Sequence, residues 1–220
     1  MNIVISGYGR MGHMVEQELL RRGIKPVLTS EDIARDLQRI NAKDCVCIDF
    51  TTPEAFRANY PVIARSFGAA VIGTTGWDDI ADKVKQAFLD NGTTMVYASN
   101  FSIGVNALFA AAARASAILK GAGYAPRIEE IHHIHKLDAP SGTAKTLAAI
   151  VAGSLGTEPE ISSVREGEVP GIHTLTLESS TDVITLRHEA FSREGFAKGA
   201  VAAALLTEGL EGVHEFSSLL

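Results

Sequence analysis

At 220 residues the chain can form one or two domains with a sizeable core. Its 46% hydrophobic and 21% charged residues exclude a mainly disordered protein. A net charge of -6 excludes the basic stripe of a nucleic-acid binder, while leaving room for a small basic cleft around an anionic substrate.

The first hundred residues alternate short apolar runs with longer amphipathic ones. Strands are predicted at Asn2–Ser6, Pro26–Thr29, Cys45–Phe50, Ala70–Thr74 and Thr94–Ala98. Helices are predicted over Arg10–Arg22, from Glu31 to Ile40, from Pro53, and from near Asp78. Near-continuous apolar strands alternating with helices describe a doubly wound α/β domain with a parallel sheet. After Asn100 the pattern changes. A long Ala-rich helix over Ile103–Leu119 is followed by a strand at Arg127–His135 and a helix over Thr143–Ser154. A loop is expected at Thr157–Ser163, strands at Thr174–Leu177 and Val183–His188, and a last helix at Gly199–Gly209. This half reads as an α+β domain with a mixed sheet. The expected division is 1–101, 102–192, and a return segment 193–220 packing on the first domain.

Cys45 and Cys47 lie one residue apart in a strand-like run, which suits buried thiols better than a disulfide framework or a zinc knuckle. The amino terminus begins on a strand pattern with no basic segment leading into an apolar one. The longest apolar stretches, such as Ala200–Leu206, fall far short of the roughly 20 residues that cross a bilayer. A cytoplasmic protein with neither membrane nor nucleic-acid partners is expected.

Gly7-Tyr8-Gly9-Arg10-Met11-Gly12 follows the first strand and opens the first helix. In a Rossmann-type domain such glycines make a tight turn, admit a pyrophosphate to the backbone, and let helix and strand pack closely. The helix N-terminus then offers amides and the positive end of its dipole to the phosphates. The competing reading is a tight turn without a ligand. An acidic residue on the ribose belongs about 20 residues on, where Glu31 stands, although it can equally cap a helix. The cofactor expected is NAD(H) or NADP(H). Arg10 and Arg35 are the basic residues near enough to prefer the latter.

Glu130 to Ala144, EIHHIHKLDAPSGTA, is the densest chemistry in the chain. If the strand continues to Lys136, His132 and Lys136 share one face, with His133 and His135 on the other. A zinc site is disfavoured because alternation splits the histidines and no Cys or Glu sits at a ligand spacing. Solvated strand histidines beside a turn are a second reading. The third is an acid/base cluster beside a nicotinamide, with Ser141, Gly142 and Thr143 as an anion seat at a helix start.

These segments resemble the dihydrodipicolinate reductase family, over nearly the whole chain. The resemblance lies in GYGRMG, with Ser6 where many members have Gly, in GTTGW at Gly73–Trp77, and in SNFSIGVN at Ser99–Asn106. It extends to the full signature Glu130–Ala144 and to REGEVPGIH at Arg165–His173. It implies that Ser6, Gly7, Tyr8, Gly9, Arg10 and Met11 contact the cofactor diphosphate, and Glu31 its adenosine ribose. Gly73, Thr74 and Thr75 would lie along the nicotinamide, with Ala98, Ser99, Asn100 and Phe101 at a hinge. It implies His132 as proton donor/acceptor and Lys136 as proton donor. His133, Gly142 and Thr143 would hold a small cyclic dicarboxylate, with no metal. The activity implied is NAD(P)H-dependent reduction in diaminopimelate and lysine biosynthesis, by a homotetramer. Another two-domain imine or amino-acid dehydrogenase, such as an aspartate dehydrogenase, would share the glycine turn but lack the His–Lys signature.

Overall fold

A computed structural model describes residues 1–220, which divide into two compact units, Met1–Phe101 with Phe196–Leu220, and Ser102–Gly195. In the first unit, strands β1 (Asn2–Ser6), β2 (Leu28–Ser30), β3 (Cys45–Asp49), β4 (Ala69–Ile72), β5 (Thr94–Tyr97) and β10 (Val213–Glu215) form one parallel sheet ordered β10-β5-β4-β3-β1-β2. β3 and β4 are buried along their whole length, as their continuous apolar sequences require in a sheet covered on both faces. Helices α1 (Arg10–Arg21) and α7 (Glu194–Leu206) supply Val15, Leu19, Ala200 and Val201 to the core on one face. Helices α3 (Pro53–Ser66) and α4 (Ala81–Asp90) supply Phe56, Ile63 and Val84 to the other. The sheet is therefore doubly wound. Thr52 caps α3 by accepting from the Ala55 amide at 3.2 Å, with Pro53 in the first turn, where its missing N–H is not needed.

In the first unit three elements depart most from the sequence reading. The helix expected over 31–40 is a single turn, α2 (Ile33–Asp36), continued by a 3-10 turn. The last helix runs Glu194–Leu206 rather than 199–209, because Thr207 closes it with bonds back to Ala204. β10 was not anticipated: three residues, Val-His-Glu, are too few to show a period.

The second unit contains α5 (Ile103–Leu119), β6 (Ala125–His132), α6 (Gly142–Leu155), β7 (Glu160–Arg165), β8 (Ile172–Glu178) and β9 (Val183–Glu189). Its sheet is mixed, ordered β7-β6-β8-β9, with β6 and β7 parallel and the other pairs antiparallel. The segment expected as a loop at 157–163 thus contains most of β7, whose polar EISSVR is only half covered at the sheet edge. Residues of β6 and β8 are buried alternately, and the buried set packs beneath α5 and α6. Along that face the paired rows read Pro126–Leu177, Ile128–Leu175, then Glu130–His173. One end of an apolar face is therefore polar, with Glu130 and His173 buried there.

Candidate active site

The glycine turn of the first unit has the geometry that a diphosphate needs. Gly7 adopts φ +87°, and a side chain there would collide with the Phe50 carbonyl. A Cβ on Gly12 would likewise run into the Gly7 carbonyl, so α1 packs tightly on β1 only with glycine at that position. Gly9 faces open space. As N-cap it supplies no side-chain cap to α1, whose first turn also lacks acidic residues. Backbone amides and an unneutralised dipole end thus remain available, which fits an anionic diphosphate. Arg10 is exposed and Met11 half-buried beside it, while Tyr8 is drawn onto α1 by a 2.5 Å hydrogen bond to Glu16.

Ser6 behaves differently from its neighbours in the turn. Its hydroxyl is buried and donates to Asp49 at 2.6 Å, so only its backbone is available to a ligand. Asp49, which sequence reasoning passed over, is fully buried at the end of β3 and also accepts from Thr74 (2.6 Å) and Thr51 (3.0 Å). Burial raises its carboxyl, and these hydrogen bonds only partly offset that. The cluster ties the end of β1 to the segment after β4. Gly73 there has no room for a side chain against the Phe50 ring; Thr75 is exposed. Ala98 and Phe101 are buried, Asn100 is half-buried and Ser99 exposed. Glu31 is exposed just beyond β2, beside the Asp32 carboxylate that caps α2. Arg35 and Arg39 turn toward the buried Asp36 instead, at 3.3 and 3.4 Å.

In the second unit, β6 ends at His132, four residues short of Lys136. The Glu166 amide donates to the His132 carbonyl and the Ile134 amide to the Gly167 carbonyl, and a turn closes with the Lys136 amide on the His133 carbonyl. The strand alternation expected to place His132 and Lys136 on one face therefore does not extend that far. A loop brings Lys136 round, and Arg165 at the end of β7 secures it, donating to the carbonyls of Lys136 (3.3 Å) and Asp138 (2.5 Å). The Lys136 ammonium lies 2.7 Å from the Asp138 carboxylate.

His132 is buried, and its Nδ1 lies 2.6 Å from Oε2 of Glu130. The other oxygen of Glu130 accepts from Arg165 (2.9 Å) and from the Ser141 amide (3.3 Å). Burial would raise the Glu130 carboxyl, but hydrogen bonds from Ser141, Ser163 and Arg165, with the His132 ring, hold it at about 2. His132 is lowered by burial, against the pull of Glu130 and with the push of Lys136 and Arg165. His173 stands edge-on to His132, ring centroids 5.1 Å apart, and its Nε2 is 3.3 Å from the Ser141 hydroxyl. Burial first, then His132, depresses it to about 4. Ser141 caps α6 by accepting from Ala144, and the exposed Gly142 and buried Thr143 open its first turn. The Nε2 of His133 meets the Arg193 guanidinium at 2.9 Å, and burial and that cation lower the ring. Lys136, Arg165, Arg193 and the α6 N-terminus make this a cationic setting for carboxylates.

The expectation that no carboxylate sits at a ligand spacing requires correction. Glu130, His132 and His173 offer donor atoms within 4.8 Å of one another, because the β6–β8 register brings His173 across from Glu130. Arg165 and Ser141 already occupy one oxygen of that carboxylate, which weakens it as a ligand.

Comparison with known proteins gives this arrangement its context. Residues 1–101 match the family described as dihydrodipicolinate reductase, N-terminus, and residues 104–220 the one described as dihydrodipicolinate reductase, C-terminus. The chain belongs to the dihydrodipicolinate reductase family. It is 38% identical to a 4-hydroxy-tetrahydrodipicolinate reductase of Christiangramia forsetii, over 100% of this chain and 98% of that one. With the reductase of that name from Methanopyrus kandleri it shares 35% identity, over 99% and 95% of the two chains. A dipicolinate-bound dihydrodipicolinate reductase from Paenisporosarcina sp. TG-14 has the same fold, with a TM-score of 0.78 at 21% identity, covering 100% and 99%. The aspartate dehydrogenase of Thermotoga maritima is more distant, with a TM-score of 0.54 at 15% identity, covering 96% and 97%. Within the family, the His–Lys loop and the α6 start come from a single unit of this chain.

Proposed function

We propose that this protein reduces 4-hydroxy-tetrahydrodipicolinate, by way of dihydrodipicolinate, to tetrahydrodipicolinate with NADH or NADPH, in the diaminopimelate and lysine pathway. The observation that carries the reading is the junction at Ser141, where His132, through Glu130, and the start of α6 meet beside Lys136. Membership of the reductase family supports it.

The Gly7–Gly12 turn and the first amides of α1 hold the diphosphate, Glu31 the adenosine ribose, and Gly73–Thr75 with Ala98–Phe101 line the nicotinamide half. The cofactor supplies a hydride to the unsaturated ring carbon of the substrate. Gly142, Thr143 and His133 hold the substrate carboxylates, so that the ring is oriented before reduction. Lys136 stabilises negative charge on the reduced ring and donates the proton that completes it at the adjacent carbon, with His132 as the second proton-handling group. We assign the protein to the cytoplasm, consistent with two buried thiols, Cys45 and Cys47, that burial raises above the ordinary thiol value. We further propose a homotetramer built on the second unit's sheet, whose α5 and α6 cover only one face.

A coupled assay tests the activity: substrate is generated from pyruvate and aspartate semialdehyde by a synthase, and loss of NADH or NADPH absorbance is followed. Aspartate oxidation without reduction of this substrate would replace the reading with an aspartate dehydrogenase. Light scattering on the eluting protein checks the tetramer.

A further inference from the structure

Glu130 is the one buried carboxylate among residues 102–195, at 0% exposure, and neither the glycine turn nor the His–Lys pair accounts for it. Burying an ionised carboxylate requires partners for both oxygens. Arg165 and the Ser141 amide serve Oε1 alone, although arginine frequently spans both oxygens of a carboxylate. Oε2 is left against Nδ1 of His132 at 2.6 Å, with the Ser163 hydroxyl of β7 also on the carboxylate.

From this geometry we propose that Glu130 is a positioning residue: it fixes His132 in the tautomer that carries its proton on Nδ1, so that Nε2 is the atom available to the substrate. The inference rests on the proposed reductase reaction. Its physical basis is that an imidazole nitrogen 2.6 Å from an anionic oxygen must hold a proton, since two facing lone pairs would repel. A neutral ring has one proton, so Nε2 carries the lone pair. The groups facing the ring are Glu130 and His173 across the sheet, with Lys136 and Arg165 from the loop and β7. Burial, then Lys136 and Arg165, disfavour a second proton and only Glu130 favours one, so the ring is lowered from its ordinary value. Gly171 completes the arrangement. A Cβ at that position would sit 3.1 Å from Nε2 of His132, so glycine there keeps the working nitrogen uncrowded. The same carboxylate also holds the Ser141 amide, so the ring and the start of α6 are set by one group.

The test combines a spectrum and a variant. Long-range proton–nitrogen correlation on the histidine-labelled native protein at pH 7.5 reads the tautomer directly, with His132→Asn assigning the resonance. The expected result is a protonated Nδ1 and a bare Nε2; a proton on Nε2 overturns the proposal. Glu130→Gln keeps the volume and removes the charge. It should lower kcat by about 10- to 100-fold, as losing a partner that orients a working histidine does, and move the pH profile of kcat while KM for NADH holds. Unchanged kcat and pH profile in that variant also overturn the proposal. If the variant fails to fold, the native spectrum decides. A native protein that shows the expected tautomer without reducing the substrate defeats the proposed function instead.

Discussion

Acid should unfold the second unit through His173. Its ring is 3% exposed, wedged between His132 and the Ser141 hydroxyl, and its pKa is depressed to about 4 from an ordinary 6.5. Because the folded value is the lower, the unfolded chain takes up this proton first, and stability falls as pH drops from 6.5 toward 4. That difference amounts to about 2 kcal/mol lost by pH 5 and about 3 kcal/mol by pH 4. His132 and His133, also lowered, act in the same direction, and Glu130 extends the loss from its ordinary 4.5 down to about 2. The assay is urea unfolding at pH 7.5, 6 and 5, followed by hydrogen exchange at the β6 and β8 amides. Trp77, the only tryptophan, reports the first unit separately. His173→Gln keeps a polar atom toward Ser141 and removes the titration, so its stability should change far less over that range. An unchanged wild-type midpoint between pH 7.5 and 5, or the same slope in the variant, refutes the reasoning.

Lys136→Ala and His132→Ala should each lower kcat by about 10²–10⁴-fold while NADH binding, measured by fluorescence, is retained; near-normal kcat in both removes them from the chemistry. With Glu31 exposed at the end of β2 and Arg35 and Arg39 both turned toward Asp36, NADH should be used at least as well as NADPH. A tenfold preference for NADPH in kcat/KM, about 1.4 kcal/mol, would place Arg10 or Arg35 on a 2′-phosphate. Prolonged chelator treatment should leave activity intact, and a loss restored by zinc would make Glu130, His132 and His173 ligands.

The parallel sheet and the glycine turn were legible because their signals are local. Continuous apolar runs, and glycines where no Cβ fits, appear within a few residues of sequence. β7 escaped notice because an edge strand half in water needs no apolar period, and β10 because it is three residues long. The His–Lys motif was visible, but its geometry was not: pairing of 166–167 with 132–134 ends β6 early, and that pairing is set by distant chain. In the sequence His173 stands only at the end of a separate segment, since the antiparallel register that sets it opposite Glu130 spans 43 positions. Asp49 did leave a trace as a lone carboxylate ending an apolar strand, the pattern of a buried acid with dedicated partners, whereas Glu130 is the member of the Glu129–Glu130 pair that alternation turns to the covered face.

The first unit is written in two pieces, and translation delivers them far apart. When residues 1–101 have emerged, β5 is an open edge, and the face that α7 will cover, around Ile3, Ile5 and Val71, lacks Ala197–Ala204 and Phe216. Those residues arrive only after Ser102–Gly195 has been made. The returning chain then settles with Gly199 tight against the Phe101 carbonyl, β10 beside β5, and the Thr94 hydroxyl on the Leu210 carbonyl. The nucleotide-binding half is therefore the first to begin synthesis and the last that can finish folding, leaving a bare strand edge and apolar face for chaperones to guard in the meantime.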